Sequence, residues 1–194
     1  MGFNFSANTG YLWKELPFLD RIRSAKNHGF HSLEFHDEAH FEDLGDLKSL
    51  LKEVGLPVNS MNIRMGSSFG CAAIPDRQHI AQHDIREAAR LAQEIEAKKL
   101  HILSGLSEET QDAFETFVEN LEYALDHSTL NIVIEPVCEE QLPGYFLRTL
   151  EQTGQVLDAV NNPRLKIMFD CYHVFTQSGD LLEHFSRYVD KIGH

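Results

Sequence analysis

The 194-residue chain reads as an α/β protein built on a parallel sheet, and two observations carry that reading. Short apolar runs rich in β-branched residues alternate with segments whose apolar residues recur at helical spacing. Repeated β-α units of this kind imply parallel strands joined by right-handed crossovers. In addition, Asn131-Ile-Val-Ile and Leu165-Lys-Ile-Met-Phe are apolar runs that each end in a carboxylate, Glu135 before Pro136 and Asp170 before Cys171-Tyr172-His173. Such a run suits a strand buried on both faces. The residue just past it lies at the strand's C-terminal end, where parallel α/β proteins bind ligands. Two architectures satisfy this pattern, an open doubly wound sheet and a (β/α)8 barrel.

The elements follow in order. Phe3 to Ala7 is a first strand, a better account of the N-terminus than lipidation at Gly2 or a secretory leader. Leu16, Leu19, Ile22 and Ala25 mark a helix stopped by Gly29. Ser32–His36 is the second strand, and Phe41, Leu44, Leu47, Leu51 and Val54 a helix stopped by Gly55. After a third strand, Pro57–Ile63, the loop from Arg64 to Pro75 has the length of a functional lid. Asp76 is the expected cap of a helix bearing Ile80, Ile85, Ala88, Ala89, Ala92 and Ile95. Lys99–Gly105 is the fourth strand, and Ser107 the expected cap of a helix bearing Phe114, Phe117, Val118, Leu121 and Leu125. The fifth strand is Asn131–Pro136. Thr149 with Gln152 forms a capping box for a helix ended by Asn162-Pro163. The sixth strand is Leu165–Asp170, the sixth helix Asp180 to about Tyr188, and Lys191–His194 the start of a seventh strand. No Gly-x-Gly-x-x-Gly follows the first strand, which removes the main support for a dinucleotide fold. Eight β-α units need roughly 250 residues, so this chain holds about six of them in a single 1–194 domain.

The net charge is −13, a surface that repels phosphate backbones, so nucleic acid is not an expected partner. No window reaches the roughly 20 apolar residues of a membrane span. Cys71, Cys138 and Cys171 are odd in number and lack redox or metal spacing, which fits a reduced, cytoplasmic setting.

Glu135 and Asp170 are the leading chemical candidates. Each alone could cap a helix or bind a loop amide. Together, with His173 three residues on, they make a donor set for Mg²⁺ or Mn²⁺. Strand alternation then turns Val133 inward with Glu135 and Met168 inward with Asp170. His101 and His36, on the fourth and second strands, either line the same mouth or serve structure. His79 and His83 read as a solvated helix face, and Cys138 and Cys171 as bystanders to a hard metal. No nucleophile elbow or P-loop is present.

Ile134-Glu-Pro-Val, Leu142-Pro-Gly-Tyr-Phe-Leu147, Phe169-Asp-Cys-Tyr-His173 and Gly179-Asp-Leu181 together resemble the hydroxypyruvate isomerase family. Phe5-Ser-Ala-Asn8, Leu100-His-Ile-Leu-Ser-Gly105 and Ile192-Gly-His194 extend the likeness along the chain. That family belongs to the xylose-isomerase-like TIM barrels, and the pattern points to its hydroxypyruvate or 2-oxo-tetronate isomerase branch. The resemblance implies a (β/α)8 fold and a metal-dependent aldose–ketose isomerase of carbohydrate metabolism acting on a small hydroxy-carbonyl acid. It implies Glu135 as metal ligand and acid/base, Asp170 as second ligand, and His173 facing substrate and metal; His101, by its place on the fourth strand, is a further candidate for substrate binding. A third ligand, two residues past His194, and a second catalytic glutamate fall beyond the chain. The expectation is therefore a fragment, or a barrel completed by a partner chain, for which a homo-oligomer is a candidate. Asn62-Ile-Arg-Met-Gly66 and Cys138 depart from the family pattern on the substrate side. The rivals are a ketose 3-epimerase, an endonuclease IV-like phosphodiesterase disfavoured by the charge, and a non-catalytic barrel.

Overall fold

A computed structural model describes residues 2–194. Six strands, β1 (Ser6–Asn8), β2 (Ser32–Phe35), β3 (Val58–Asn62), β4 (Lys99–His101), β5 (Asn131–Ile134) and β6 (Leu165–Ile167), form one sheet in sequential order. Every neighbouring pair is parallel. The helices between them are α1 (Phe18–Asn27), α2 (Leu44–Val54), α3 (Gln78–Glu94), α4 (Gln111–Asp126) and α5 (Leu150–Val160), followed after β6 by α6 (Cys171–Ser178) and α7 (Leu181–Tyr188). The last residues run beside β6, where Ile192 pairs in parallel with Ile167. The sheet curls far enough for His194, at that edge, to set its Nε2 3.3 Å from Glu34 Oε1 of β2. This is six β-α units of a barrel wall, not a doubly wound sheet.

The two faces of the sheet differ in chemistry because the side-chain period is two. Ile132 and Ile134 of β5 point outward and join one continuous core with Ile22, Leu47, Ile85, Phe117, Leu121 and Val156 of the helices. Val133, fully buried, stands apart from that core on the inner face, as the alternation requires. Around it the interior is polar: Glu34, Ser60, Asn62 and His101 line the inner cavity. The β2–β3 pairing carries a register shift between Leu33 and Glu34.

Several local expectations are corrected. The first strand is Ser6–Asn8, and Phe3 and Phe5 lie before it, exposed. β4 ends at His101, and the residues after it run as loop. Asp76 does not cap α3: Pro75–Arg77 forms a 3₁₀ turn, and α3 starts after Arg77 without a side-chain cap. Thr110, not Ser107, caps α4 by accepting from the Ala113 amide. Phe41 is 74% exposed and precedes α2, whose cap is Asp43, and Ile80 faces outward on α3. Helix α6 was not anticipated, because its eight residues bury only His173 and Val174 and carry no apolar stripe. Thr149 and Gln152 do cap α5, with the Gln152 side chain reaching back to the Arg148 amide at 2.9 Å.

The loops at the C-terminal ends of β3 and β4 lock together. Gly70 and Ser104 pair antiparallel, and Gly105, at φ +92, would place a Cβ 2.5 Å from the Gly70 carbonyl oxygen. Gly105→Ala therefore meets backbone strain and backbone overlap at once, and is expected to cost at least about 2 kcal/mol in urea unfolding. A loss under about 0.5 kcal/mol, the range of neutral surface changes, would mean the two loops separate freely.

Candidate active site at the C-terminal mouth

Glu135 is the first residue past β5, and Asp170 lies three residues past the end of β6. One oxygen of Asp170 does what a strand-end acid does by default: its Oδ1 accepts from the Tyr172 amide at 2.7 Å and the His173 amide at 3.3 Å, capping α6. Its Oδ2 is left 4.0 Å from His173 Nε2. The cap turns the first turn of α6 so that His173, buried, comes back over the sheet. Ligand-capable atoms of Glu135, Asp170 and His173 all lie within 4.8 Å of one another. Nδ1 of His173 sits 3.3 Å from Cys138 Sγ, so Cys138 touches the site through this ring. Exposed Cys171 has no such contact.

His101, on β4, is almost wholly buried; its Nδ1 lies 3.1 Å from Asn62 Oδ1 of β3. Because that oxygen, as the amide is assigned, only accepts, the proton belongs on Nδ1. Nε2 is then a bare acceptor, buried and without a partner among the described residues. Glu135 sits between two small cavities. The inner one, about 180 Å³, runs down the polar interior past Glu34 and Ser60. The outer one, about 140 Å³, is walled by Met65, Phe69, Leu103, Val137, Leu142 and Tyr145. Tyr11, His36, Asn62, His101 and Glu135 line both. The loop after β3, expected as a lid, walls the outer cavity with Met65 and Phe69; the Met65 amide donates to Asp37 Oδ2 at 2.9 Å and the Gly70 amide to the Met65 carbonyl at 2.6 Å. His79 lines neither cavity, nor does His83. A larger open groove of about 580 Å³ lies at the opposite ends of β3 and β4, but its Lys48 and Glu94 are paired at the surface.

The electrostatics of the mouth are those of acids without a counter-charge. No arginine or lysine is among the described residues lining either cavity. Burial, then the Asp170 and Glu34 charges, push the Glu135 carboxyl up to about 8. Burial, then the charges of His194 and His36, drive His101 down to about 3. Burial also lowers His173, against the pull of Asp170.

The model of the family described as xylose isomerase-like TIM barrel matches residues 22–194. The chain belongs to the xylose isomerase-like TIM barrels. Hydroxypyruvate isomerase of Escherichia coli is 32% identical to it over 98% of this chain and 77% of its own length. A 2-oxo-tetronate isomerase of Cupriavidus necator is 30% identical over 98% and 76%. A crystal structure of a family 2 AP endonuclease from Brucella melitensis superposes with a TM-score of 0.92 at 29% identity, over 98% of this chain and 77% of that one. The likeness to the two isomerases along nearly the whole chain makes this an enzyme of the isomerase kind.

Members of this barrel family often use metals, and the donors here fit one: two facing carboxylate groups and an imidazole, without a protein cation. Tyr11, in the β1–α1 loop, also belongs to the mouth and has no sequence signal of its own, while Asn62, marked in the sequence only as a departure on the substrate side, lines both cavities. Asn62 ends a strand as Glu135 follows one, so its position was a usable signal. Tyr11 sits in an irregular loop and offered none.

The raised Glu135 carboxyl sets a pH dependence. A folded-state value above the unfolded one, about 4.3, means that the folded form holds the proton more tightly. Stability is therefore lost as pH rises from about 4.5 to 8. The depressed histidines act oppositely but only below about 6.5. In EDTA, Tm is expected to fall between pH 6.5 and 8.5, and Glu135→Gln to abolish most of that fall; an unchanged slope in the variant assigns the titration elsewhere.

Proposed function

We propose that this enzyme is a metal-dependent isomerase of a small hydroxy-carbonyl acid, converting hydroxypyruvate to tartronate semialdehyde or acting on a 2-oxo-tetronate, in a cytoplasmic setting that suits its three free cysteines. The observation that carries the reading is the convergence of Glu135, Asp170 and His173 within 4.8 Å at the C-terminal mouth of a parallel barrel wall, in a chain matched nearly end to end by isomerases of such acids. Glu135 and Asp170 would hold a Mg²⁺ or Mn²⁺ ion, with His173 beside them, and such an ion would supply the positive charge that both carboxylates lack and would polarise substrate oxygens.

Moving a carbonyl to the neighbouring carbon requires that a proton leave the hydroxyl-bearing carbon and return on the former carbonyl carbon, through an enediolate. Glu135, facing both cavities, is the carboxylate that exchanges this proton. His101, neutral because it is buried, offers its Nε2 lone pair to a substrate hydroxyl and keeps that hydroxyl oriented. Asn62 fixes the tautomer that makes this possible. Phe69, Leu142 and Tyr145 form the apolar wall that keeps water from the reacting carbons. Cavities without lysine or arginine, on a chain of charge −13, disfavour a DNA phosphodiester as substrate.

Deuterium uptake from heavy water into hydroxypyruvate, followed by NMR, tests the reading. Mn²⁺-dependent uptake is expected, falling at least about 10³-fold in Glu135→Gln, in line with loss of an acid–base group. Mn²⁺ is expected to raise Tm more at pH 8.5 than at pH 6.5, since binding displaces the Glu135 proton, and Asp170→Asn to remove most of that rise. Uptake that ignores both metal and Glu135 overturns the assignment. No uptake and no metal-induced rise favours the non-catalytic barrel.

A further inference from the structure

Tyr11 is 67% exposed, yet the chain holds it in place with unusual care. Its loop, Thr9–Pro17, leaves β1 through a turn in which Asn8 Oδ1 accepts from the Gly10 amide at 2.9 Å and the Asn8 carbonyl from the Tyr11 and Leu12 amides at 3.2 and 3.0 Å. One guanidinium, that of Arg21 in α1, then gathers three of the loop's carbonyls. It donates to Leu16 at 2.8 Å, Thr9 at 3.1 Å and Lys14 at 3.3 Å, and its Nη1 also reaches Glu38 at 3.3 Å. Trp13 adopts a left-handed backbone, φ 57, and packs its ring against His28 and Phe30, a conformation a bulky residue keeps only where its surroundings hold it. The tip is shaped for His36. A Cβ on Gly10 would fall 2.2 Å from that imidazole, so only glycine lets the loop close down. Tyr11 itself stands edge-on to the same ring, centroids 4.7 Å apart at 82°.

The side chain so placed borders both cavities that flank Glu135. Its phenol is pushed up from the ordinary value by burial, then by the charges of Glu135 and Asp170. The phenol is a hydrogen-bond donor at the border of both cavities. No protein acceptor for that hydroxyl is found among the hydrogen bonds of the described residues. A hydroxyl donor on the lining of a cavity that also holds Glu135 and Asp170 is matched to a substrate oxygen that gains negative charge there.

We propose that Tyr11 is a catalytic residue of this isomerase, its hydroxyl donating to the substrate oxygen that gains negative charge as the proton leaves carbon. Arg21 and Gly10 are the positioning residues that hold it there. The proposal rests on the isomerase reading above. It adds a group from the β1–α1 loop that neither the carboxylate pair nor the histidines supply.

The test uses the whole chain with Mn²⁺ and hydroxypyruvate, reading kcat and KM for deuterium exchange, the hydroxypyruvate Kd by titration calorimetry, and Tm. A donor that strengthens its bond in the transition state appears mainly in kcat. Tyr11→Phe is expected to lower kcat roughly 10- to 100-fold, the lower range for loss of one such donor, with KM and Kd within about threefold and Tm unchanged. Gly10→Ala, which displaces the tip, is expected to lower kcat similarly in the wild-type background but to add little in the Tyr11→Phe background. A purely structural role for Gly10 would not give that non-additivity. Wild-type exchange with an unaltered kcat in Tyr11→Phe overturns the Tyr11 assignment alone. A wild-type chain that neither binds nor exchanges hydroxypyruvate overturns the isomerase reading, and the Tyr11 proposal with it.

Discussion

The mouth of this barrel is governed by like charge. Glu135 and Asp170 face each other, Glu34 lies below them, and no lysine or arginine enters the cavities between. Glu34 stays ionised. Burial works against its charge, but the His194 ring at 3.3 Å, with further bonds from Ser6 and Asn59, outweighs that and holds its carboxyl below the usual range. Asp170 spends one oxygen on the start of α6. The strain therefore collects on Glu135, which answers by holding a proton to about pH 8. A protein selected only for stability would place a lysine or an apolar residue there. An acid kept where its ionised form is disfavoured is consistent with the metal site proposed for Glu135, Asp170 and His173.

The interior below the mouth supports this arrangement. His194 Nδ1 accepts from Lys99 Nζ at 3.3 Å and lies 3.4 Å from Asn59 Nδ2, while Lys99 also donates to Asn59 Oδ1 at 3.0 Å. The other ring nitrogen, Nε2, lies 3.3 Å from Glu34 Oε1. The single lysine of this network is thus turned toward His194 and Asn59, one layer beneath the carboxylates, and leaves them uncompensated. The outer face of the same strands is uniformly apolar and packed on α1 to α5. One sheet therefore carries a hydrophobic core on one side and a hydrogen-bonded polar network on the other, and the strand alternation keeps them apart.

What the sequence disclosed follows the same physics. Glu135 and Asp170 were legible because a continuous apolar run fixes both the element and its end, and the end of a parallel strand is a defined place. Val133 and Glu135 shared a face because alternation leaves no other choice. Helix caps were less legible. Asp76, Ser107, Thr110 and Asp170 are all competent acceptors, and which one caps is decided by backbone geometry several residues away. The 3₁₀ turn at Pro75–Arg77 removes Asp76 from contention. Helix α6 escaped notice for a related reason: Asp170 and Gly179 frame it as N-cap and left-handed C-cap, but between them no apolar period marks a helix. Tyr11 was invisible because its place is set by Arg21 ten residues later and by His36 just past the next strand.

The loops that ring the mouth are tied to the barrel and to one another by hydrogen bonds and close backbone contacts, and this bears on how such a site can work. Gly105 presses on the Gly70 backbone, Asp37 holds Met65, and Arg21 ties down the loop of Tyr11. Each constraint removes freedom from a wall before substrate arrives, so the ordering cost of binding falls on folding rather than on catalysis. A three- or four-carbon acid offers few contacts from which that cost could otherwise be met. A larger substrate can close a lid with its own remote groups. A small one needs walls already in place, and that is the arrangement built around Glu135.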